Sequence, residues 1–201
     1  MVNNISLLEH KYKWFMKEYI KRNLSGRKVL YLFVLTNIVY ALMLLLTIPK
    51  VMRFSGGMKI LDLIPTGYNI QYVNTLFSTL GEKGRNAYLY NQLPLDLIYP
   101  FLFGISSCLV LAYFLNKLGK LDSNLFYLCL IPLFSGLFDY GENIGIITML
   151  HIFPNNSILV TQITSIFSIL KSLFTSIYFI VLIVTLIVLA KNNLFPKKEI
   201  I

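Results

Sequence analysis

Four long apolar segments constrain the fold of this chain more than any other feature. They cover roughly residues 29–49, 96–116, 125–150 and 160–190. Each meets the ~20 mostly apolar residues that a helix needs to cross a hydrocarbon core of ~30 Å. The chain of 201 residues is 56% hydrophobic and only 13% charged, with a mean hydropathy of +0.68, which is unlike a soluble globular domain. The sequence therefore predicts an all-α integral membrane four-helix bundle.

The positive charges lie beside the apolar segments. The net charge is +9, and lysines and arginines cluster before the first segment, between the second and third, and after the fourth. Since such residues are retained on the cytoplasmic side, both termini are predicted to be cytoplasmic. Residues 1–28 are interpreted as a basic amphipathic segment, with a surface helix over 5–24, and residues 191–201 as a basic tail. An anionic lipid surface accounts for these charges, so nucleic acid is not an expected partner.

The sequence leaves any cofactor unknown and predicts no metal site. Cys108 and Cys129 fall inside predicted spans, form no paired motif, and are interpreted as buried apolar residues. His151, at the exit of the third span, is more typical of a membrane interface than of a metal ligand. No cleavable signal peptide is expected, because about 28 polar or amphipathic residues precede the first span.

The third apolar segment contains an acidic turn. Asp139, Glu142 and Asn143 share one helical face with the small residues Ser135 and Gly136. Each acidic side chain in a membrane helix costs roughly 2.5–3.5 kcal/mol, so these groups are expected to face the bundle interior and to carry a function. Counted from the start of the helix at ~1.5 Å per residue, the turn falls in the outer half of the membrane.

Two other spans place charged residues at the same depth. Asp96 begins the second span, and Lys171 lies in the outer part of the fourth. With Asp139 and Glu142, these residues predict a polar pocket that opens to the outer side, although an ion-pair network that only fixes helix register remains an alternative. Three carboxylates exceed one lysine by two charges, so some are protonated, a cation binds, or Arg85 and Lys83 fold in from the loop.

The segment from 50 to 95 is predicted to be ordered. An amphipathic helix carries Ile70, Val73, Leu76, Phe77 and Leu80 on one face, and Gly81 is placed to end it. This segment either covers the pocket as a lid or rests on lipid as an interfacial helix, and the sequence favours neither.

Four stretches resemble a group of small four-span membrane proteins. They are LDLIPTGY (61–68), LGEKGRNAYL (80–89), LDLIYP (95–100) and GLFDYGEN (136–143). The resemblance implies the same four-span topology. It implies no activity and no catalytic residue.

Three functions are compatible with these features. The first is a pocket that binds a membrane lipid headgroup, a small amphipathic ligand or a cation, with or without catalysis. The second is a proton- or ion-coupled transport or channel subunit, which would need a homo-oligomer because four spans are few. The third is a non-catalytic assembly or partner subunit. The candidate catalytic residues are Asp139, Glu142 and Asp96, and the candidate ligand-binding residues are Asn143, Lys171, Arg85, Tyr68, Tyr88 and Tyr99.

Overall fold

The computed structural model describes residues 15 and 17–194, and these residues form helices and loops without any β-strand. Most of the predicted surface helix over 5–24 and of the tail over 191–201 lies outside the described residues, which include one short helical turn over 17–22. The longer helices of the described residues are α1 (Gly26–Met52), α2 (Ile70–Ala87), α3 (Leu93–Lys117), α4 (Ile131–Ile152) and α5 (Ile158–Leu194). Shorter helical turns cover Leu61–Leu63, Tyr88–Gln92 and Asn124–Leu130.

Within the described residues, four helical stretches are long and apolar enough to cross a membrane, which agrees with the prediction of a multi-pass membrane protein. They are Gly26–Met52, Ile70–Lys117, Asn124–Ile152 and Ile158–Leu194, so α2 runs into α3 as one interrupted helix. We call the end of the bundle with the starts of α1 and α4 the terminal face. The opposite end, where α2 and the start of α5 lie, is the loop face.

The helices do not surround one central axis evenly. α4 packs against both α3 and α5, and α1 packs mainly on α3. Glycines bring α4 close to its neighbours: Gly136 lies against the Pro100 carbonyl of α3, and Gly145 lies against Thr164 of α5. Because α1 and α5 contact each other little, a cleft is left between them.

The loop face has an apolar core of its own. The predicted amphipathic face of α2 is buried there, with Val73, Leu76 and Phe77 fully inaccessible and Leu80 nearly so. Gly81 interrupts the helix with a positive φ of 59°, as expected for a glycine that ends a helix. The apolar face of α2 is therefore buried against protein and is not available to rest on lipid.

The loop before α2 is fixed to α5. Gly67 has a φ of 82°, and a Cβ at this position would lie 2.5 Å from Ser165 Oγ, so only glycine allows the close approach. The backbone N–H of Tyr68 donates to Ser165 Oγ at 2.8 Å, and Ser168 Oγ donates to the Ile64 carbonyl at 3.1 Å. These contacts hold the Leu61–Leu63 turn over the bundle.

Basic residues before α1 contact the turn between α3 and α4. Lys21 Nζ lies 2.9 Å from Asp122 Oδ1, and Lys17 Nζ donates to the Asp122 carbonyl at 2.9 Å. The hydrogen bond between the two side chains raises the pKa of Lys21 and lowers the pKa of Asp122. Both groups are solvent-exposed, so the pair orients the segment before α1 and contributes little stability.

Candidate functional site

The polar site begins where a proline interrupts α3. Pro100 has no N–H, so the carbonyl of Asp96, four residues earlier, lacks its usual helical donor. Asn143 Nδ2 of α4 donates to this carbonyl at 2.7 Å, and both residues are buried. Asn143 therefore compensates a backbone defect of α3 and joins α3 to α4, while its Oδ1 atom has no hydrogen-bond partner.

Lys171 of α5 lies between the two acidic residues of α4. Its Nζ atom is 3.1 Å from Asp139 Oδ1 and also contacts the Glu142 carboxyl group. The lysine side chain is 16% exposed, that of Asp139 is 9% exposed and that of Glu142 is fully buried. One lysine thus holds two carboxyl groups in an interior from which water is largely excluded, where a charge needs a partner.

A fourth carboxyl group, which sequence reasoning did not select, completes the site. Asp62 comes from the Leu61–Leu63 turn, and its Oδ2 atom accepts a hydrogen bond from the buried Tyr88 hydroxyl. Asp62 and Asp96 line the same cleft, and among the described residues neither forms an ion pair with a lysine or arginine. The loop thus contributes an acidic side chain to the pocket that it covers.

The site contains more acid than base. Four carboxyl groups surround one lysine, which leaves an excess of three negative charges if every group is ionised. Buried polar groups normally have hydrogen-bond partners, so orphaned ones indicate where a ligand, ion or water fits. Six such atoms lie in or near this site in the part of the chain that the structure describes: Asp62 Oδ1, Tyr68 OH, Gln92 Nε2, Asp96 Oδ2, Glu142 Oε1 and Asn143 Oδ1.

The structure does not bring Arg85 to the site. Its guanidinium donates to the Phe77 carbonyl at 2.9 Å and lies 4.6 Å from the centre of the Phe153 ring. The break at Gly81 frees carbonyl groups at the end of the preceding helical stretch, and the arginine binds one of them. Lys83 is exposed. Neither of these two basic residues balances the carboxyl groups.

The three predicted tyrosines take different places around the site. Tyr88 bonds Asp62 as described above, and Tyr99 lines the cleft with its ring stacked on Tyr40, 5.4 Å between centres. The hydroxyl of Tyr68 is buried without a partner. Burial, together with the negative charges of Glu142 and Asp62, raises the pKa of Tyr68, so its hydroxyl keeps its proton and can donate a hydrogen bond.

A cleft of about 620 Å³ connects the polar site with an apolar channel between α1, α3 and α5. Its polar end is formed by Asp62, Gln92, Asp96, Asp139 and Lys171, whereas Glu142 and Asn143 do not line it. From Gln92, which directly precedes α3, to Ser107 within it, the lining residues cover ~22 Å at 1.5 Å per residue. The channel is bordered by Phe33, Phe103, Tyr178, Phe179 and Leu182, with small hydroxyl residues between them.

Comparisons with known proteins give no match: no family, no curated protein and no solved structure is significantly similar to this chain. The resemblance to small four-span membrane proteins stays a prediction.

Proposed function

We propose that this membrane protein binds an amphipathic, lipid-like molecule, with the polar headgroup at the carboxyl cluster and the hydrocarbon chain in the cleft. The observation that carries this proposal is the continuity of the two regions, because the same cavity is lined by Asp96 and Lys171 at one end and by Phe179 and Leu182 at the other. Its volume of about 620 Å³ is in the range of small-molecule sites, ~300–1,000 Å³.

The shape of the cleft supports a ligand that enters from the bilayer. One wall is α1 and the opposite wall is α5, and many of the surrounding side chains on both helices are apolar and exposed. A lipid tail that leaves the bilayer for such a channel exchanges one hydrocarbon environment for another. The headgroup contacts must therefore supply most of the selectivity.

Binding fits the geometry better than catalysis by Asp139 and Glu142. An acid–base pair must reach the reacting group, within about 2.6–3.2 Å or through one water. Both carboxyl groups are held by Lys171, and Glu142 does not line the cleft. Lys171 itself is engaged by these carboxyl groups, so it is not free to hold an anionic ligand group. The transport and partner-subunit alternatives stay predictions.

We further propose that the loop face is on the outer side of the membrane and the terminal face is cytoplasmic, as the positive charges near the termini favour. Variants with one added, exposed cysteine test this orientation. In intact cells, a membrane-impermeant maleimide should label an Asn155→Cys variant on the loop face and should not label a Ser123→Cys variant on the terminal face. The native Cys108 and Cys129 are buried. The opposite labelling pattern would invert the topology.

The cleft itself is tested by filling it. Ser176 is an exposed residue of α5 that lines the cleft, and a Ser176→Phe variant would place an aromatic ring in the channel. We expect the amount of lipid-like molecule retained after mild extraction to fall about tenfold or more, which corresponds to ~1.4 kcal/mol of lost binding. Native mass spectrometry of the purified protein measures the retained fraction.

An Ile180→Phe variant is the matched control. Ile180 lies one turn further along α5, is 62% exposed and does not line the cleft, so this variant should retain the ligand as the wild type does. Equal retention by all three proteins would place the ligand elsewhere. A wild-type protein that retains no amphiphile and binds none on addition would refute the proposed function.

A further inference from the structure

Two of the four carboxyl groups of the site form an ion pair with a lysine, and the other two do not. Asp139 and Glu142 share Lys171. Asp62 and Asp96 line the same cleft without an ion pair to a basic side chain of the described residues, and Asp62 accepts a hydrogen bond from the Tyr88 hydroxyl. Ionised carboxyl groups that are removed from water without a basic partner are costly. The Asp62–Asp96 pair therefore needs either a proton or a cation from outside the protein.

Unpartnered polar atoms at this pair point to a ligand. Asp96 is 3% exposed and its Oδ2 atom has no hydrogen-bond partner. Gln92, the last residue of the helical turn before α3, is fully buried and its Nε2 atom also has no partner. Both residues line the cleft, and so does Asp62. The free hydrogen-bonding capacity of the site is thus directed at the polar end of the cavity.

Aromatic rings line the cleft from this end into the apolar channel. Tyr99 follows Asp96 by three residues on α3, and its ring centre lies 5.4 Å from that of Tyr40 and 5.7 Å from that of Phe103. All three rings line the cleft. Carboxylates next to an aromatic wall form the environment that binds organic ammonium groups, through ion pairing and cation–π attraction.

We infer that the ligand of this cleft is a cationic amphiphile whose ammonium group lies between the Asp62–Asp96 pair and the aromatic wall of Tyr40, Tyr99 and Phe103. This inference rests on the proposed function and specifies its ligand class. An anionic headgroup would meet four carboxyl groups and a lysine that is already paired. A bare metal ion is less suited, because the described residues contain no group of three acidic, histidine or cysteine side chains arranged to hold one.

A series of single-chain probes with equal tails tests the charge of the headgroup. Dodecylamine, dodecanol and dodecanoate are added at submicellar concentration to the full-length protein in a nonionic detergent at neutral pH, and binding is measured by native mass spectrometry and by the shift in unfolding temperature. We expect dodecylamine to bind at least about tenfold more tightly than dodecanol, and dodecanoate to bind most weakly. This comparison needs no variant.

Isosteric variants then locate the charge. Asp96→Asn and Asp62→Asn should each weaken dodecylamine binding by about 30-fold, a typical effect of removing one partner of a buried charge pair, and leave dodecanol binding nearly unchanged. Asp62 is only half-buried on a loop, so its variant provides the test if the Asp96 variant does not fold. Asp122→Asn, on the terminal face, is the matched control and should bind all three probes as the wild type does.

The outcomes separate the inference from the proposed function. Equal binding of the three probes, or amine binding that survives both variants, would overturn the cationic ligand while leaving an amphiphile site in place. Tighter binding of dodecanoate than of dodecylamine would also overturn it. If no probe binds and no lipid is retained by the purified protein, the proposed function fails as well.

Discussion

Replacing Lys171 with methionine is expected to lower the free energy of unfolding by about 3–5 kcal/mol, the usual cost of removing one partner from a buried ion pair. Asp139 and Glu142 would remain buried in α4 without their shared cation, 3.1 Å away from Asp139 in the wild type. Lys171→Met keeps the length and apolar stem of the side chain, so the loss reflects charge more than packing. Unfolding of the purified protein by a denaturing detergent, followed by circular dichroism, measures it.

Two further variants test whether the loss of stability comes from the carboxyl groups that remain without a cation. Lys191→Met removes an exposed lysine from the same helix and should leave stability within about 0.5 kcal/mol of the wild type. A triple variant that combines Lys171→Met with Asp139→Asn and Glu142→Gln removes both partners as well, and should recover most of the lost stability. A Lys171→Met variant as stable as the wild type would contradict this prediction and show that the carboxyl groups do not depend on Lys171 for their burial.

The same triple variant tests whether this cluster only fixes helix register. If it folds and still retains the amphiphile, the Lys171 cluster is structural, and ligand binding depends on the Asp62–Asp96 pair. If it folds but loses the ligand, Lys171 and Asp139, which both line the cleft, contribute to the headgroup site. Stability and ligand retention are measured on the same preparation.

The spans could be predicted from the sequence because crossing a hydrocarbon core depends mainly on local composition. About 20 apolar residues suffice whatever the neighbouring helices are. The predicted segments 29–49 and 160–190 accordingly fall within α1 and α5. The amphipathic face of α2 could be predicted as well, because its 3.6-residue period is a local property of the sequence.

The convergence of Asp96, Asp139 and Lys171 could be expected for a similar reason. Polar groups in a membrane helix must face other protein groups, and residue counting along each helix gives their depth. The partners within the cluster did not follow from this argument. Periodicity gives the face of a helix, but the rotation of each helix against its neighbours depends on side-chain packing.

The positions of Asp62 and Arg85 could not be predicted from helix periodicity and residue counting. Asp62 belongs to a three-residue turn without periodicity, and its position depends on the attachment of the loop to α5 through Gly67. Arg85 follows the helix break at Gly81 and binds a carbonyl group that this break exposes. Both outcomes depend on the path of a loop, which the local sequence pattern did not give.

The hydrogen bond from Asn143 to the Asp96 carbonyl could have been predicted from the sequence. Pro100 within an apolar helix implies that the carbonyl of residue 96 lacks a donor, and a buried carbonyl in a membrane helix requires one. Asn143, on the inward face of α4, is a side chain with a suitable N–H group. The spacing between Pro100 and Asp96, read together with the polar face of α4, could therefore have predicted this contact.

A substitution at Gly136, where α3 and α4 approach closely, is expected to have the second large effect on stability. A Cβ added to Gly136 would lie 2.7 Å from the Pro100 carbonyl oxygen, which is shorter than real Cβ contacts and involves backbone that cannot rotate away. We expect Gly136→Ala to cost about 1–3 kcal/mol of stability, as overpacking does. The two helices would have to separate, which would stretch the 2.7 Å hydrogen bond from Asn143 to the Asp96 carbonyl.

Gly104→Ala is the matched control in the same interface. There the nearest atoms to an added Cβ are the Pro132 carbonyl oxygen at 3.4 Å and a Leu133 methyl carbon at 3.5 Å, which are tolerable distances. Alanine also favours a helix over glycine by up to about 1 kcal/mol, so this variant should be as stable as the wild type or slightly more so. Equal behaviour of the two alanine variants would show that helix propensity, and not the approach at Pro100, governs this interface. A loss confined to Gly136→Ala, together with weaker retention of the amphiphile, would show that the same contact that packs α3 on α4 also positions Asp96 in the cleft.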